Sequence, residues 1–222
     1  MTCVALSHDG SHVVSGSWDR TIRSWPLLEA KKPESLSMGL GWNTSALCMS
    51  ANGKLVVSGN ADGSIFVWSA ETGALKNALF GHMSRIACIT ICSNGQYIVS
   101  GSEDDRKPIH IWDVAEGKQV GHPLHGHEGE ITAVAISDDC TWIVSGSTDS
   151  TLRLWQLPTG RPIGNPLIGH SKAVSCVATS SGNRFIISGS HDGTILVWNV
   201  NSQKPVGKSL QHGAGIKSLY VS

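Results

Sequence analysis

Histidine, serine and aspartate are the side chains from which hydrolases assemble a base, a nucleophile and an orienting carboxylate. This chain holds them at fixed offsets. His82, His127 and His170 each stand in a Gly-His pair, 19 residues before the glycine of a Ser-Gly pair: Ser100-Gly101, Ser145-Gly146 and Ser188-Gly189. An aspartate follows that glycine by three residues each time, at Asp104, Asp149 and Asp192. A catalytic centre is normally unique, and this set recurs, so it points to a structural network. His122, His125 and His127 form an H-x2-H-x-H cluster. No cysteine or carboxylate stands beside it at ligand spacing, and His127 already belongs to the recurring set. Glu103-Asp104-Asp105 and Asp138-Asp139 pair carboxylates, but in turn sequence, where they read as solvated. No glycine-rich loop leads from a strand into a helix, so no phosphate site is readable. The expectation is no catalytic residue, no metal and no cofactor.

Composition narrows the class. The chain has 222 residues, 40% of them hydrophobic, with 8 tryptophans, which is enough to bury a core and excludes wholesale disorder. Seventeen Lys and Arg balance seventeen Asp and Glu. Zero net charge argues against a general nucleic-acid or anionic-membrane binder, whose affinity rests on a positive field. No apolar run approaches the ~18 residues of a membrane span. The start, MTCVALSHDG, lacks the basic and apolar regions of a signal peptide. Cys3, Cys48, Cys88, Cys92, Cys140 and Cys176 include no CxxC pair. They read as reduced, buried structural thiols of a cytoplasmic protein, with the nucleus as the alternative. Only 15% of residues are charged, which hints at strands packed on both faces.

The elements that must carry the recurring residues are themselves periodic. Tryptophan recurs at 25, 68, 112, 155 and 198, with spacings of 43, 44, 43 and 43. Ser15-Gly16 and Ser58-Gly59 extend the Ser-Gly series, and Asp19 and Asp62 the aspartate series. In the last full repeat VSCVATS (174–180), RFIISGS (184–190), TILVWNV (194–200) and KPVGKSL (204–210) are short and β-branched, separated by turn residues. That predicts four strands per repeat and an all-β chain.

A period of 43 residues with Gly-His, then SGS-x-D, then a strand ending in Trp resembles the WD-repeat β-propeller family, and the resemblance covers essentially the whole chain. It implies four-stranded antiparallel blades. Their repeats run approximately 1–38, 39–80, 81–125, 126–168 and 169–211, with a partial one at 212–222. It also implies a structural tetrad in each blade: His82, Ser100, Asp104 and Trp112; His127, Ser145, Asp149 and Trp155; His170, Ser188, Asp192 and Trp198. Each imidazole would bond the aspartate of the tight turn, with Ser and Trp completing the chain. The linkers PLHGH and TGRPIGNPLIGH resemble repeats of fungal proteins in which a NACHT-type signalling ATPase precedes the propeller.

Several positions depart from that pattern. Leu40 stands where the second repeat should have histidine. Two extra residues and Pro108 predict a protruding loop carrying Asp105, Arg106 and Lys107. Cys140 and Asn183 replace the turn glycine found at 10, 53 and 95. Five blades plus one extra inner strand at IKSLYVS (216–222) make an incomplete ring, since seven blades take roughly 300 residues. The chain reads as part of a longer propeller.

The family displays its loops at one end of the ring, and carried-over positions there mark the partner surface. They are Trp18, Arg85, Glu103, Glu130, Thr132, Thr148 and His191, with Ala61, Ala87, Ala173 and Ser175 beside them. The reading is a non-enzymatic scaffold for protein or peptide partners, without nucleic acid or membrane. The alternative is the ligand-sensing part of a NACHT-type signalling ATPase.

Overall fold

The computed structural model describes residues 3–6, 10, 12–17, 19, 21–27, 34–37, 43–104 and 108–219. Among them there are strands and turns and no α-helix. The first sheet contains β1 (Cys3–Leu6), β2 (His12–Gly16), β3 (Thr21–Pro26) and β4 (Glu34–Ser37). The second contains β5 (Thr44–Met49), β6 (Leu55–Asn60), β7 (Ile65–Ser69) and β8 (Leu75–Leu79). The third contains β9 (Ile86–Ile91), β10 (Tyr97–Ser102), β11 (Ile109–Asp113) and β12 (Lys118–Gln119). The fourth contains β13 (Ile131–Ile136), β14 (Trp142–Ser147), β15 (Thr151–Gln156) and β16 (Leu167–Ile168). The fifth contains β17 (Val174–Thr179), β18 (Phe185–Ser190), β19 (Thr194–Asn199), β20 (Lys204–Pro205) and β21 (Leu210–Gln211). The first four sheets are antiparallel meanders in chain order, and in the fifth both β20 and β21 pair with β19.

The sheets are blades. The inner strands β1, β5, β9, β13 and β17 touch in succession, and the first and last do not close a ring. Each apolar core lies between two blades. Val57, Ile65, Val67 and Leu79 of the second pack on Ile86, Ile89, Ile98 and Trp112 of the third. Val99, Ile109 and Ile111 meet Ile131, Ile143 and Trp155 of the fourth in the same way. Both faces of a central blade are therefore covered, which is why its strands carry few charges. The recurring tryptophan always faces the preceding blade. Trp68, Trp112, Trp155 and Trp198 are buried, whereas Trp25, with no earlier blade among the described residues, is 38% exposed.

The Ser-Gly pair makes this stacking dense. A Cβ at Gly59 would lie 2.5 Å from Ile86 Cγ2, and one at Gly146 or Gly189 2.6 Å from Val174 or Ile216. The glycine is thus the seat for a β-branched side chain of the next blade. A hydroxyl beside it ties the backbones together: Ser45 donates to the Gly59 and Ile86 carbonyls, and Thr132 to those of Gly146 and Val174. Ser175 does the same toward Gly189 and Ile216.

Two sequence expectations need correction. KPVGKSL is not one outer strand. It is broken into β20 and β21 around Gly207, whose φ is +73°, because a left-handed residue interrupts the ladder. The sixth inner strand is also absent over 216–219, where only Ile216 is anchored, its N–H donating to the Ser190 carbonyl at 2.9 Å. Among the described residues no strand lies beside the segment to complete a ladder. Residues 220–222, Trp18, Leu40, Trp42 and the Asp105–Lys107 loop lie outside the described residues.

Candidate functional site

The recurring polar residues converge at one end of each blade, where the inner strand begins and the β-turn after the Ser-Gly strand carries the aspartate. In the fourth blade they form a continuous chain. Trp155 Nε1 donates to Ser145 Oγ at 2.9 Å, and Ser145 Oγ is 2.8 Å from His127 Nε2. His127 Nδ1 is 2.8 Å from Asp149 Oδ2, which also accepts the Glu128 N–H. A carboxylate only accepts, so the proton of this bond sits on Nδ1. The other oxygen, Oδ1, takes the N–H and hydroxyl of Thr151 at 2.9 and 2.7 Å, an Asx turn. Burial alone would raise the Asp149 carboxyl. The bonds from His127 and Thr151 outweigh it and hold the group well below the usual carboxylate range.

The fifth blade is a variant. His170 Nε2 meets Ser188 Oγ at 2.7 Å, and Trp198 Nε1 donates to the same oxygen at 2.9 Å. Here Nδ1 bonds the Thr194 hydroxyl at 2.9 Å, while Asp192 stands at 3.5 Å. Thr194 O–H in turn donates to Asp192 Oδ1, so the hydroxyl relays the contact.

The third blade departs from expectation. His82 Nε2 bonds Ser100 Oγ at 2.7 Å and Trp112 Nε1 donates to that oxygen at 2.9 Å. The expected bond from His82 to Asp104 is not made, and His82 Nδ1 is buried without a partner. His110 intervenes. Its ring lies 4.0 Å from that of His82 and stacks on Trp112 at 5.2 Å. Burial, with a contribution from His110, lowers the His82 pKa to about 3, so two neutral imidazoles are packed together. His110 occupies the place opposite Ser100 that holds Arg23, Phe66, Arg153 and Leu196 in the other blades, so no periodic signal announced it.

Side chains beyond these chains form a rim. The residue before each turn aspartate donates its N–H to the residue before the inner strand. Glu103 donates to Arg85 at 3.0 Å, Thr148 to Glu130 at 3.0 Å and His191 to Ala173 at 2.9 Å. The two sets of carried-over positions are thus neighbours within each blade. Arg85 also pairs with Glu103, and Glu130 N–H donates to Thr148 Oγ1 at 2.9 Å. Arg85, Glu130, Thr148 and His191 are exposed, and Glu103 is partly so. Thr132 differs: it is half-buried and its hydroxyl is committed between blades.

Comparison with known proteins decides the family. The WD domain, G-beta repeat pattern matches residues 1–26, 41–69, 73–106, 117–156 and 160–199. The chain belongs to the WD-repeat family. Among similar proteins, autophagy-related protein 16 of Arabidopsis thaliana is 33% identical over 94 residues, 42% of this chain and 18% of that protein. A periodic tryptophan protein 2 homolog of Caenorhabditis elegans is 33% identical over 127 residues, 55% of this chain and 14% of its own length. Cell division control protein 4 of Candida albicans is 32% identical over 87 residues, 39% of this chain and 13% of that protein. The chain therefore spans under a fifth of these relatives. WD-repeat proteins generally serve as protein-interaction scaffolds.

The WD-repeat frame brings together chemistry that periodicity alone did not show. No disulfide joins the described cysteines, and Cys92 is buried as expected, but Cys3, Cys48, Cys88, Cys140 and Cys176 are only partly buried. Among the described residues no group of His, Cys, Asp or Glu has metal-holding geometry, and no helix is long and apolar enough to cross a membrane.

Proposed function

We propose that this chain is a non-enzymatic interaction scaffold that offers the tetrad end of its blades to a protein or peptide partner. One observation carries the reading. In three successive blades the same two rim positions are held by the same backbone hydrogen bond, yet their side chains differ: Arg85 and Glu103, Glu130 and Thr148, Ala173 and His191. A rigid frame with changing side chains is what recognition of an irregular polar surface requires. In the fourth and fifth blades the His, Ser, Trp and Asp groups beneath are spent on one another and on a threonine hydroxyl, so they hold the rim rather than act on a substrate. The mixed charge of the rim suits a polar peptide better than a phosphate-dense ligand, and the balanced net charge fits a chain that binds neither nucleic acid nor membrane. Glu103 and Thr148 belong to the same proposed surface, to which the family resemblance also assigns Trp18, outside the described residues. Thr132 contributes its methyl at most. A cytoplasmic location fits described cysteines that form no disulfide.

The test replaces Arg85, Glu130 and His191 together by alanine and compares bound proteins with those of a variant altered at Asn94, Asp138 and Ser181, in the turns between the first two strands of the blades. Loss of specific partners from the rim variant alone supports the assignment. The same partners on both variants overturn it.

A further inference from the structure

The turn between β13 and β14 reaches across to the third blade and brings two cysteines together. Cys92 follows β9 and is fully buried in the apolar core between the third and fourth blades. Cys140 packs against the same core from the turn, partly open to solvent. Ser93 fixes the approach. Its hydroxyl donates to the Asp138 carbonyl at 2.8 Å and its oxygen lies 3.4 Å from Cys140 Sγ. Both side chains belong to the same core, and Cys140 Sγ rests on Ser93, the residue that follows Cys92 in the chain, with polar groups of Ser93 and Asn94 around it.

The backbone gives a second, independent observation. Cys140 has φ +57°, in the left-handed region. The equivalent positions are Gly10, Gly53, Gly95 and Asn183, with φ between +60° and +75°. A cysteine costs strain there that glycine would not. Packing does not require the side chain either, since four other blades do without it.

We propose that Cys140 is a peroxide-reactive thiol and that Cys92 resolves it, forming a disulfide that joins the third and fourth blades. The Cys140 thiolate attacks a hydroperoxide oxygen. The S–O bond forms as the O–O bond breaks, and the departing hydroxide or alkoxide takes up a proton. The Cys92 sulfur then attacks the Cys140 sulfenic acid, the S–S bond forms, the S–O bond breaks, and the Cys92 proton leaves with the oxygen as water. Both sulfurs are oxidised by one electron each and the hydroperoxide is reduced.

The electrostatics agree with these roles. Burial works against ionisation of Cys140, but the polar surroundings that Ser93 and Asn94 give its sulfur bring the thiol below the ordinary value. Burial pushes Cys48, Cys88, Cys92 and Cys176 up. Cys140 thus ionises more readily than the buried thiols, and Cys92 must give up its proton to the departing sulfenic oxygen as it attacks.

The experiment treats the reduced full chain with hydrogen peroxide, blocks remaining thiols by alkylation, and maps unreduced peptides by mass. A peptide carrying Cys92 joined to one carrying Cys140, lighter by two hydrogens, is expected. Cys140→Gly, which suits the turn and keeps the fold, should lose the link and leave Cys92 alkylated. Cys92→Ala should leave a Cys140 sulfenic acid that dimedone traps faster than it labels Cys3 or Cys176. Oxidation of wild-type Cys140 to sulfinic acid with Cys92 still free would overturn the proposal. So would dimedone labelling of Cys140 no faster than of the other cysteines.

Discussion

Gly59 on β6 lies directly under Ile86 of the next blade, and the Cγ2 methyl of Ile86 stands 2.5 Å from where any Cβ at position 59 would be. Neither neighbour can yield easily, because Gly59 is in the second strand of its sheet and Ile86 is fully buried. Gly59→Ala should therefore destabilise the chain by about 1–3 kcal/mol through overpacking. Gly213→Ala, with nothing within 4 Å of the added atom, should stay within about 0.5 kcal/mol of the parent. Urea unfolding of both variants checks this, and equal midpoints would contradict the glycine seat.

The serine of the Ser-Gly pair is worth more in a covered blade than at an open one. Ser145→Ala leaves both Trp155 Nε1 and His127 Nε2 without their partner in a buried site, at a cost of about 2–3 kcal/mol. Ser15→Ala removes the matching bond to Trp25, 3.1 Å long, but that ring is partly exposed and water can replace the hydroxyl. Its cost should be below about 1 kcal/mol. Thermal or urea midpoints compare the two directly.

Stability should fall as pH drops below about 6.5, the ordinary histidine value. Burial lowers the folded-state pKa of His82, His110 and His170. In that window the unfolded chain binds protons that the folded chain does not, so their contribution is complete above 6.5 and shrinks toward the His82 value of about 3. Asp149 and Asp192 also have depressed values, and their share is lost below the ordinary carboxylate value of 3.8. His110→Phe keeps the ring against Trp112 and removes one titrating partner of His82. It should flatten the slope between pH 6.5 and 4.5 in urea titrations, and an unchanged slope would remove the His82–His110 pair from the pH response.

The rim pair separates binding from stability. Arg85 and Glu103 form an exposed ion pair, which contributes about 0.2–1 kcal/mol at most. Arg85→Glu should leave the urea midpoint nearly unchanged while slowing association with a partner that uses this surface. Binding kinetics at two salt concentrations check this: an on-rate and salt dependence equal to the parent's would remove Arg85 from the interface.

The sequence by itself determined the five repeats, the order of the strands within a blade and the Ser–Trp pairs that tie them. Each blade is one local meander, and the same few residues must reappear wherever the same turn and the same stacking recur. It also marked the turn position that Cys140 and Asn183 share with Gly10, Gly53 and Gly95, since a left-handed turn is a local demand. Tertiary structure alone decided what lies between blades. His82 meets His110 instead of Asp104, Ile86 seats on Gly59, and Cys140 packs against the core that holds Cys92, with its sulfur on Ser93. These contacts depend on how adjacent sheets are laid against each other, and each involves a side chain that differs from blade to blade. A period reports only what is repeated, so the contacts particular to this protein became visible only when neighbouring sheets were placed in register.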